Sequence, residues 1–340
     1  MSKILKVGGA SGFWGEAPHA TAQLLTCDVD VIVYDYLAEI TMSILARAKA
    51  RNPEMGYAPD FLSAAIGPNL SAIAGKGVKI VSNAGGLNPL ACAEKLRAMI
   101  AEAGLPLKVA VVTGDDLTGR LQDYAASGVT EMFSGASFPA VETIASANAY
   151  LGAFPIAQAL QQGADIVITG RCVDSAVTLG ACIHAFGWAP EDYDMLSGGA
   201  LAGHILECGP QATGGNFTDW KDVAEGIAEI GYPIAEISSD GTFVVTKPKD
   251  TGGVVNIGTV GEQMLYEIGD PRAYFLPDVI CDFSTVHLKQ VGSDRVQVSN
   301  ATGCTAPEGY KVSMTYRDGF RGVQLFGYYG PDAPQKARLF

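Results

Sequence analysis

One alternation constrains this chain more than any other feature. A short, β-branched apolar run is followed by a longer stretch with helical spacing, and the pattern then repeats. The runs are ILKVGG (4–9), VDVIVYD (29–35), VKIVSN (78–83), KVAVVTGDD (108–116) and DIVITGR (165–171). Each has a nearly continuous apolar centre, as a strand covered on both faces requires. Between them, PHATAQLLTC and LAEITMSILARAKARN read as helices, the second with Leu37, Ile40, Ile44 and Leu45 on one broad face. NPLACAEKLRAMIAEAG has Pro89 at a helix start and Gly104 at its stop. SANAYLGAFPIAQALQQGAD reads as helical but carries Pro155, which predicts a kink or a break. Alternating elements with short connections imply parallel pairing and right-handed crossovers. The expectation is an α/β fold: an open doubly wound, mostly parallel sheet over residues 1–205.

The last third changes character. GTFVVTKP, GGVVNIGTV, PDVICDFSTVHLKQ, DRVQVSNATG, YKVSMTYRDG and GVQLFGYYG are short, partly alternating and separated by Gly, Pro and Asp. KQVGSDRVQV reads as a hairpin, and one helix is expected around GEQMLYEI. A β-rich α+β second domain is therefore expected over residues 206–340, joined near CGPQATGGNFTDW. Its end, PDAPQKARLF, reads as the opening of a helix that does not continue, as if the domain were cut short. The 340 residues exceed one typical core, in keeping with two domains.

Bulk chemistry removes several function classes. With 48% hydrophobic and 17% charged residues, a disordered chain is excluded. A net charge of −13, with the acids scattered, argues against a general nucleic-acid surface, which needs a basic face. It leaves room for a locally positive site that binds an anion. The seven cysteines stand singly, without C-x-x-C, so neither a zinc knuckle nor a disulfide framework is indicated. The four histidines show no metal-ligand spacing, and no metal site is expected. There is no signal-peptide pattern at the N-terminus, and no apolar run reaches the roughly 18 residues of a membrane span. A cytoplasmic protein without a membrane partner is expected.

The functional signal lies where the strands run out. In an open parallel sheet the carboxyl ends of the strands gather on one edge, and ligands bind in the crevice there. After the first run come Gly8, Gly9, Ser11 and Trp14; after the second, Asp35, with Glu39 a turn later. Ser82, Asn83, Gly85, Gly86 and Asn88 follow the third, Asp115 and Asp116 the fourth, and Arg171 and Asp174 the fifth. The opposite ends carry ordinary turns such as GKG and GLPL. The candidate catalytic residues are accordingly Asp35, Asn83, Asp115 and Asp174. Gly8, Gly9, Ser11, Trp14, Gly85, Gly86, Asn88 and Arg171 are the candidate substrate-binding residues.

Each motif has a bland alternative. GGASGFWG could cradle a phosphate on its backbone N–H groups, or be a tight turn with Trp14 packed over it. Asn88 could touch a ligand or cap the helix beginning at Pro89. Asp115 and Asp116 could hold a divalent cation, or be a cap and a first-turn acid. Arg171 could fork onto a carboxylate or phosphate, or simply pair with Asp174. No G-x-S-x-G elbow and no convincing dinucleotide fingerprint is present.

Taken together, ASGFWGE, YDYLAEITMSILARAKARNPEMGYAPDF, SNAGGLNPLACA, GADIVITGRCVDSAVTLG and YEIGDPRAYFLPDV resemble the acyclic terpene utilisation protein A (AtuA) family over nearly the whole chain. The resemblance implies a catabolic protein working among enzymes of branched acyl-CoA thioesters, and it carries over no established catalytic residue. The expected function is an enzyme acting on a branched carboxylate or acyl-CoA intermediate, of lyase, hydratase or hydrolase type rather than redox. The competing expectation is a non-catalytic binding or scaffold subunit that needs a partner protein. No cofactor is firmly implied; CoA would enter only as part of a thioester substrate. The expected partners are a small anionic molecule or acyl-CoA, further copies of this chain in a homo-oligomer, and a small companion subunit.

Overall fold

The computed structural model describes residues 3–320 and 322–339. In chain order the first strands are β1 (Ile4–Gly9), β2 (Val31–Tyr34), β3 (Lys79–Ser82), β4 (Val109–Val112), β5 (Ile144–Ala149) and β6 (Ile166–Thr169). The later strands are β7 (Ile234–Ser238), β8 (Phe243–Thr246), β9 (Tyr274–Phe275), β10 (Ile280–Asp282), β11 (His287–Gly292), β12 (Arg295–Ser299), β13 (Thr302–Cys304) and β14 (Val312–Tyr316). The α-helices are α1 (Ala20–Leu25), α2 (Glu39–Arg51), α3 (Leu70–Lys76), α4 (Pro89–Glu102), α5 (Leu121–Ala126), α6 (Phe154–Gln161), α7 (Ala176–Phe186), α8 (Tyr193–Leu206), α9 (Ile257–Leu265) and α10 (Ala333–Leu339).

The main sheet runs β11-β12-β8-β7-β1-β2-β3-β6-β4. The five strands from β1 to β4 in this order pair in parallel, and β7, β8, β12 and β11 continue the same sheet in antiparallel fashion. Alternation along the strands feeds two cores. Val7, Val31, Val33, Val81 and Val167 face α6, α7 and α8 through Ile156, Leu179 and Leu201. Ile32, Tyr34, Ile80, Ile166 and Ile168 face α1 to α4 through Leu24, Leu45, Ile73 and Leu96. The sheet is thus doubly wound. β3 leads into α4 on one face, while its neighbour β6 leads into α7 on the other. That divergence makes a crevice at the carboxyl edge between β3 and β6, the place where open sheets bind ligands.

Several elements depart from their expected form, each for a local reason. Residues 144–149 are strand rather than helix, because Val312 to Tyr316 pair with them in a separate two-stranded ribbon. Pro155 does not kink a helix; it sits in the first turn of α6, where no N–H partner is missed. The buried face of α2 is Thr41, Met42, Leu45 and Ala46, whereas Ile40 and Ile44 are exposed and Leu37 precedes the helix. GGVVNIGTV is not a strand: Asn256 and Thr259 close a capping box that starts α9. No strand forms over residues 322–330.

Helix α8 is the element whose sequence disguises it most. Gly198, Gly199 and Gly203 lower helix propensity, yet the packing needs them. A Cβ on Gly198 would lie 2.4 Å from the Gly241 carbonyl oxygen, and one on Gly203 would lie 2.6 Å from that of Ser175. The helix therefore presses its C-terminal end into the carboxyl-edge loops.

Candidate functional site

Asp35, Asn83 and Arg171 meet at the crevice. Each directly follows a strand of the parallel sheet or stands one residue beyond it, and all three are buried. Asn83 is fixed by its own backbone neighbourhood: its Oδ1 accepts the Tyr36 N–H at 2.8 Å. Its Nδ2 is thereby aimed at Asp35 Oδ1, to which it donates. The Leu37 N–H reaches the same carboxylate oxygen at 3.3 Å. Ser11 completes the corner, its hydroxyl donating to the Asp35 carbonyl at 2.9 Å.

Arg171 is held at both ends. Its N–H donates to Asp115 Oδ2 at 2.8 Å, and Asn148 Nδ2 donates to the same oxygen at 2.8 Å. The Asp115 carboxylate stands so close that a Cβ on Gly170 would lie 2.4 Å from its Oδ1. Glycine before Arg171 is thus a steric requirement. The guanidinium Nη1 donates to the Leu37 carbonyl at 2.9 Å and to Asp174 Oδ1 at 3.0 Å. Its Cζ lies 4.1 Å from the centre of the Tyr150 ring, a cation–π contact. Lys311 Nζ approaches that ring at 4.7 Å, and the Tyr150 hydroxyl donates to Glu39. Tyr150 and Lys311 flank the β5–β14 ribbon, so the ribbon forms a roof over the arginine. The Arg171 side chain is only 3% exposed, while that of Asp174 is 32% exposed. The site therefore opens at Asp174.

Burial sets the electrostatics. It pushes the Asp35 carboxyl well above the usual carboxylate range; the Asp174 and Glu207 charges push the same way, against Arg171 and the Asn83 amide. Asp115 is also raised by burial, though the Arg171 N–H and Asn148 offset part of this. Burial opposes the charge on Arg171, but Asp174, Tyr150 and Asp35 more than compensate, and the guanidinium stays charged. Burial lifts the Tyr150 phenol to about 12. A buried carboxyl of raised proton affinity beside a fixed cation can take or give a proton while the cation holds an anion.

The remaining expected residues have structural tasks. Gly8 lets α1 approach, since a Cβ would meet Leu24 at 2.9 Å; Gly9 does the same for the Leu206 carbonyl oxygen, at 2.5 Å. The glycine loop is filled by the chain's own carboxylate: Glu16 accepts from the Ala17 N–H at 2.9 Å, from the Gly12 N–H at 3.4 Å and from the Tyr232 hydroxyl at 2.7 Å. Trp14 bonds to the Asp60 carboxylate. A Cβ on Gly85 would sit 2.4 Å from the Thr169 carbonyl oxygen, and Gly86 adopts a φ of +51°. The Gly86 N–H is spent on the Asn83 carbonyl at 3.1 Å. Asn88 sits at the N-cap position of α4 but makes no side-chain cap; its amide ties down the Pro53 and Met55 carbonyls at 2.9 Å each. Asp116 accepts from the Thr118 N–H and hydroxyl, closing a local turn.

Sequence reasoning placed Glu39 a turn beyond Asp35 but did not find Tyr150, Lys311 or Glu207, which lie outside the five strand ends read from the chain. Among the described residues no group of three or more His, Cys, Asp or Glu side chains is arranged to hold a metal ion. No described helix is long and apolar enough to cross a membrane.

Comparison with curated proteins and with solved structures gives no match. The model of the acyclic terpene utilisation family protein AtuA matches residues 5–340, essentially the whole chain. The site just described therefore lies within the matched region, and the chain belongs to the AtuA family.

Proposed function

We propose that this protein is an enzyme of acyclic terpene utilisation that acts on a branched carboxylate or acyl-CoA intermediate at the β3/β6 crevice. One observation carries the reading: a buried carboxyl, Asp35, shares a closed pocket of hydrogen bonds with Asn83 beside the buried cation Arg171. Buried ions cost stability unless well paired, and proteins keep such arrangements chiefly where chemistry needs them. In this reading an incoming carboxylate, or the polarised oxygen of a thioester, competes with the partly open Asp174 for Arg171 Nη1. The Asn83 amide and the Ser11 hydroxyl hold the Asp35 segment in place, and Asp35 moves the proton. Asp115 is a positioning residue, since it holds the Arg171 backbone rather than the ligand.

Calorimetric titration of isovalerate and isovaleryl-CoA tests this. The wild-type protein binds one or both. Arg171→Lys, which loses the planar fork, binds about 10- to 100-fold more weakly. Asp35→Asn retains binding and loses turnover. Absence of binding, or binding indifferent to Arg171→Lys, refutes the reading. The competing reading, a non-catalytic subunit, is favoured by a row of exposed apolar side chains at Phe320, Val323, Leu325 and Tyr329. It predicts that turnover appears only on reconstitution with a companion protein.

A further inference from the structure

The C-terminal end of α8 brings two further titratable groups to the same edge. Leu206 packs its carbonyl against Gly9 of the first loop, and Gly203 packs against Ser175, the neighbour of Asp174. His204 lies between these two contacts, and Glu207 follows the second, just beyond the helix. Both side chains are buried, 1% and 5% exposed, and His204 Nδ1 lies 2.8 Å from Glu207 Oε1. The backbone here is anchored by Gln263 of α9, whose Nε2 donates to the His204 carbonyl at 2.9 Å. The Nδ1–Oε1 approach is an ion-pair contact rather than an aligned hydrogen bond, and both His204 ring nitrogens and Ser175 Oγ are buried without a hydrogen-bond partner among the described residues. A structural ion pair would use its remaining polar atoms; this one leaves them unspent beside Ser175, the neighbour of Asp174.

We propose that His204 and Glu207 form a second proton-handling pair of this site, acting from the α8 side on the ligand that displaces Asp174 from Arg171. This rests on the reading of the site given above and adds a reaction class to it. With Asp35, the pair supplies the two groups that an addition–elimination needs. One takes a proton from the carbon beside the carbonyl, and the other gives a proton to a departing hydroxyl. The C–H and C–O bonds break, a C=C bond forms, water leaves, and the electron pairs stay within substrate and water. Neither an oxidant nor a covalent nucleophile is required.

Each partner's proton affinity is raised. Because the rise on His204 comes from the Glu207 charge, the two share one proton, which leaves the pair able to give or take one. Burial alone lowers the His204 imidazole, but Glu207 at contact, and Asp174 from the β6 turn, raise it overall. Burial lifts the Glu207 carboxyl to about 7, opposed by His204 and reinforced by Asp174 and Glu267. The other titratable groups facing the pair are Asp35 beyond β2, Tyr274 of β9 and Cys208, with Glu16 of the first loop against Gly209.

Four histidines make this measurable by 15N NMR of the imidazoles, with His204 assigned by its loss in His204→Gln. Glu207→Gln lowers the His204 midpoint by about one pH unit or more, a tenfold change in proton affinity. Asp174→Asn lowers it by less. Saturating isovalerate moves the wild-type midpoint. An unchanged midpoint in Glu207→Gln overturns the pair. Should that variant fail to fold, the wild-type protein answers the same question. The Glu207 carboxyl 13C and His204 15N signals then share two midpoints if paired, and show one independent midpoint each if not. If isovalerate binds in an Arg171-dependent way yet leaves His204 untouched, this proposal fails and the reading of the site stands. If isovalerate does not bind, that reading fails, and with it the pair's role toward a ligand.

Discussion

The two edges of the sheet use the same residue types to opposite ends. At the amino edge, Asp165 accepts from Lys79 Nζ at 2.7 Å and from the Lys108 N–H at 2.8 Å, and Asp30 accepts from the Lys6 N–H at 2.8 Å. These acids are wet, fully engaged and serve to start strands. Lys79 and Asp165 are 33% and 25% exposed in their side chains. At the carboxyl edge, Asp35, Asp115, Arg171, His204 and Glu207 are almost wholly buried, and some of their polar atoms have no partner. Solvated ion pairs contribute little and cost little. Dry ones are expensive, and removing one partner strands the other. One edge of the sheet is built for stability, and the other carries a cost that stability alone does not explain.

Breaking the comparison at its strongest point should give the largest effect. Arg171→Met leaves Asp174 and the roof of Tyr150 without their cation, and costs about 3–5 kcal/mol in urea unfolding. Lys79→Met at the other edge costs about 1 kcal/mol or less. Equal losses at the two edges would dissolve the distinction.

The next effect concerns protons. Burial raises Asp278, which caps the Ala153 N–H at the start of α6, to about 6. A carboxyl whose folded value lies above its unfolded one binds more protons when folded. Stability is therefore greatest below pH 4 as far as this group is concerned, and about 3 kcal/mol is lost between pH 4 and 6. Asp35 acts in the same direction, its loss falling as pH rises through its own raised value. Asp278→Asn should flatten the pH 4–6 limb of a thermal-unfolding profile, and Asp35→Asn a limb of the same sign. A steeper profile in either variant would contradict the assigned direction.

Steric effects at glycines are smaller and sharpen the same contrast. Gly170→Ala drives a methyl into the Asp115 carboxylate and should cost about 1–3 kcal/mol, displacing Arg171 as well. Gly75→Ala, within α3 and facing open space, should instead stabilise by up to about 1 kcal/mol. Chemical denaturation of both variants checks the pair.

Much of the sheet could be read from the chain because buried parallel strands advertise themselves. Five apolar runs, each stopping at glycine or a short polar residue, are enough to put Asp35, Asn83 and Arg171 on one edge. Strand order was not legible: nothing local in VKIVSN or DIVITGR says that β6 inserts between β3 and β4. Nor does a local signal say that the strands after Ile234 extend the same sheet. Tyr150 and Lys311 were missed because IASANA has little strand propensity of its own and pairs mainly with a segment over 160 residues later, apart from a bridge between Asn148 and Asp116. Glu207 was missed because the three glycines that let α8 pack also disguise it as a loop. Asn88, Gly85 and Gly86 show the ambiguity of such positions: polar and glycine residues at a strand end also serve the turn itself.

The central claim is that the β3/β6 crevice, and not another hollow, takes the ligand. A crystal soaked with isovaleryl-CoA tests it most directly. The account predicts density for the carbonyl or carboxylate oxygen at hydrogen-bond distance from Arg171, with Asp174 turned away and Asp35 facing the acyl group. Density seated instead in the shallow hollow lined by Gln211, Asn216, Glu262 and Tyr266, with Arg171 still on Asp174, would contradict it.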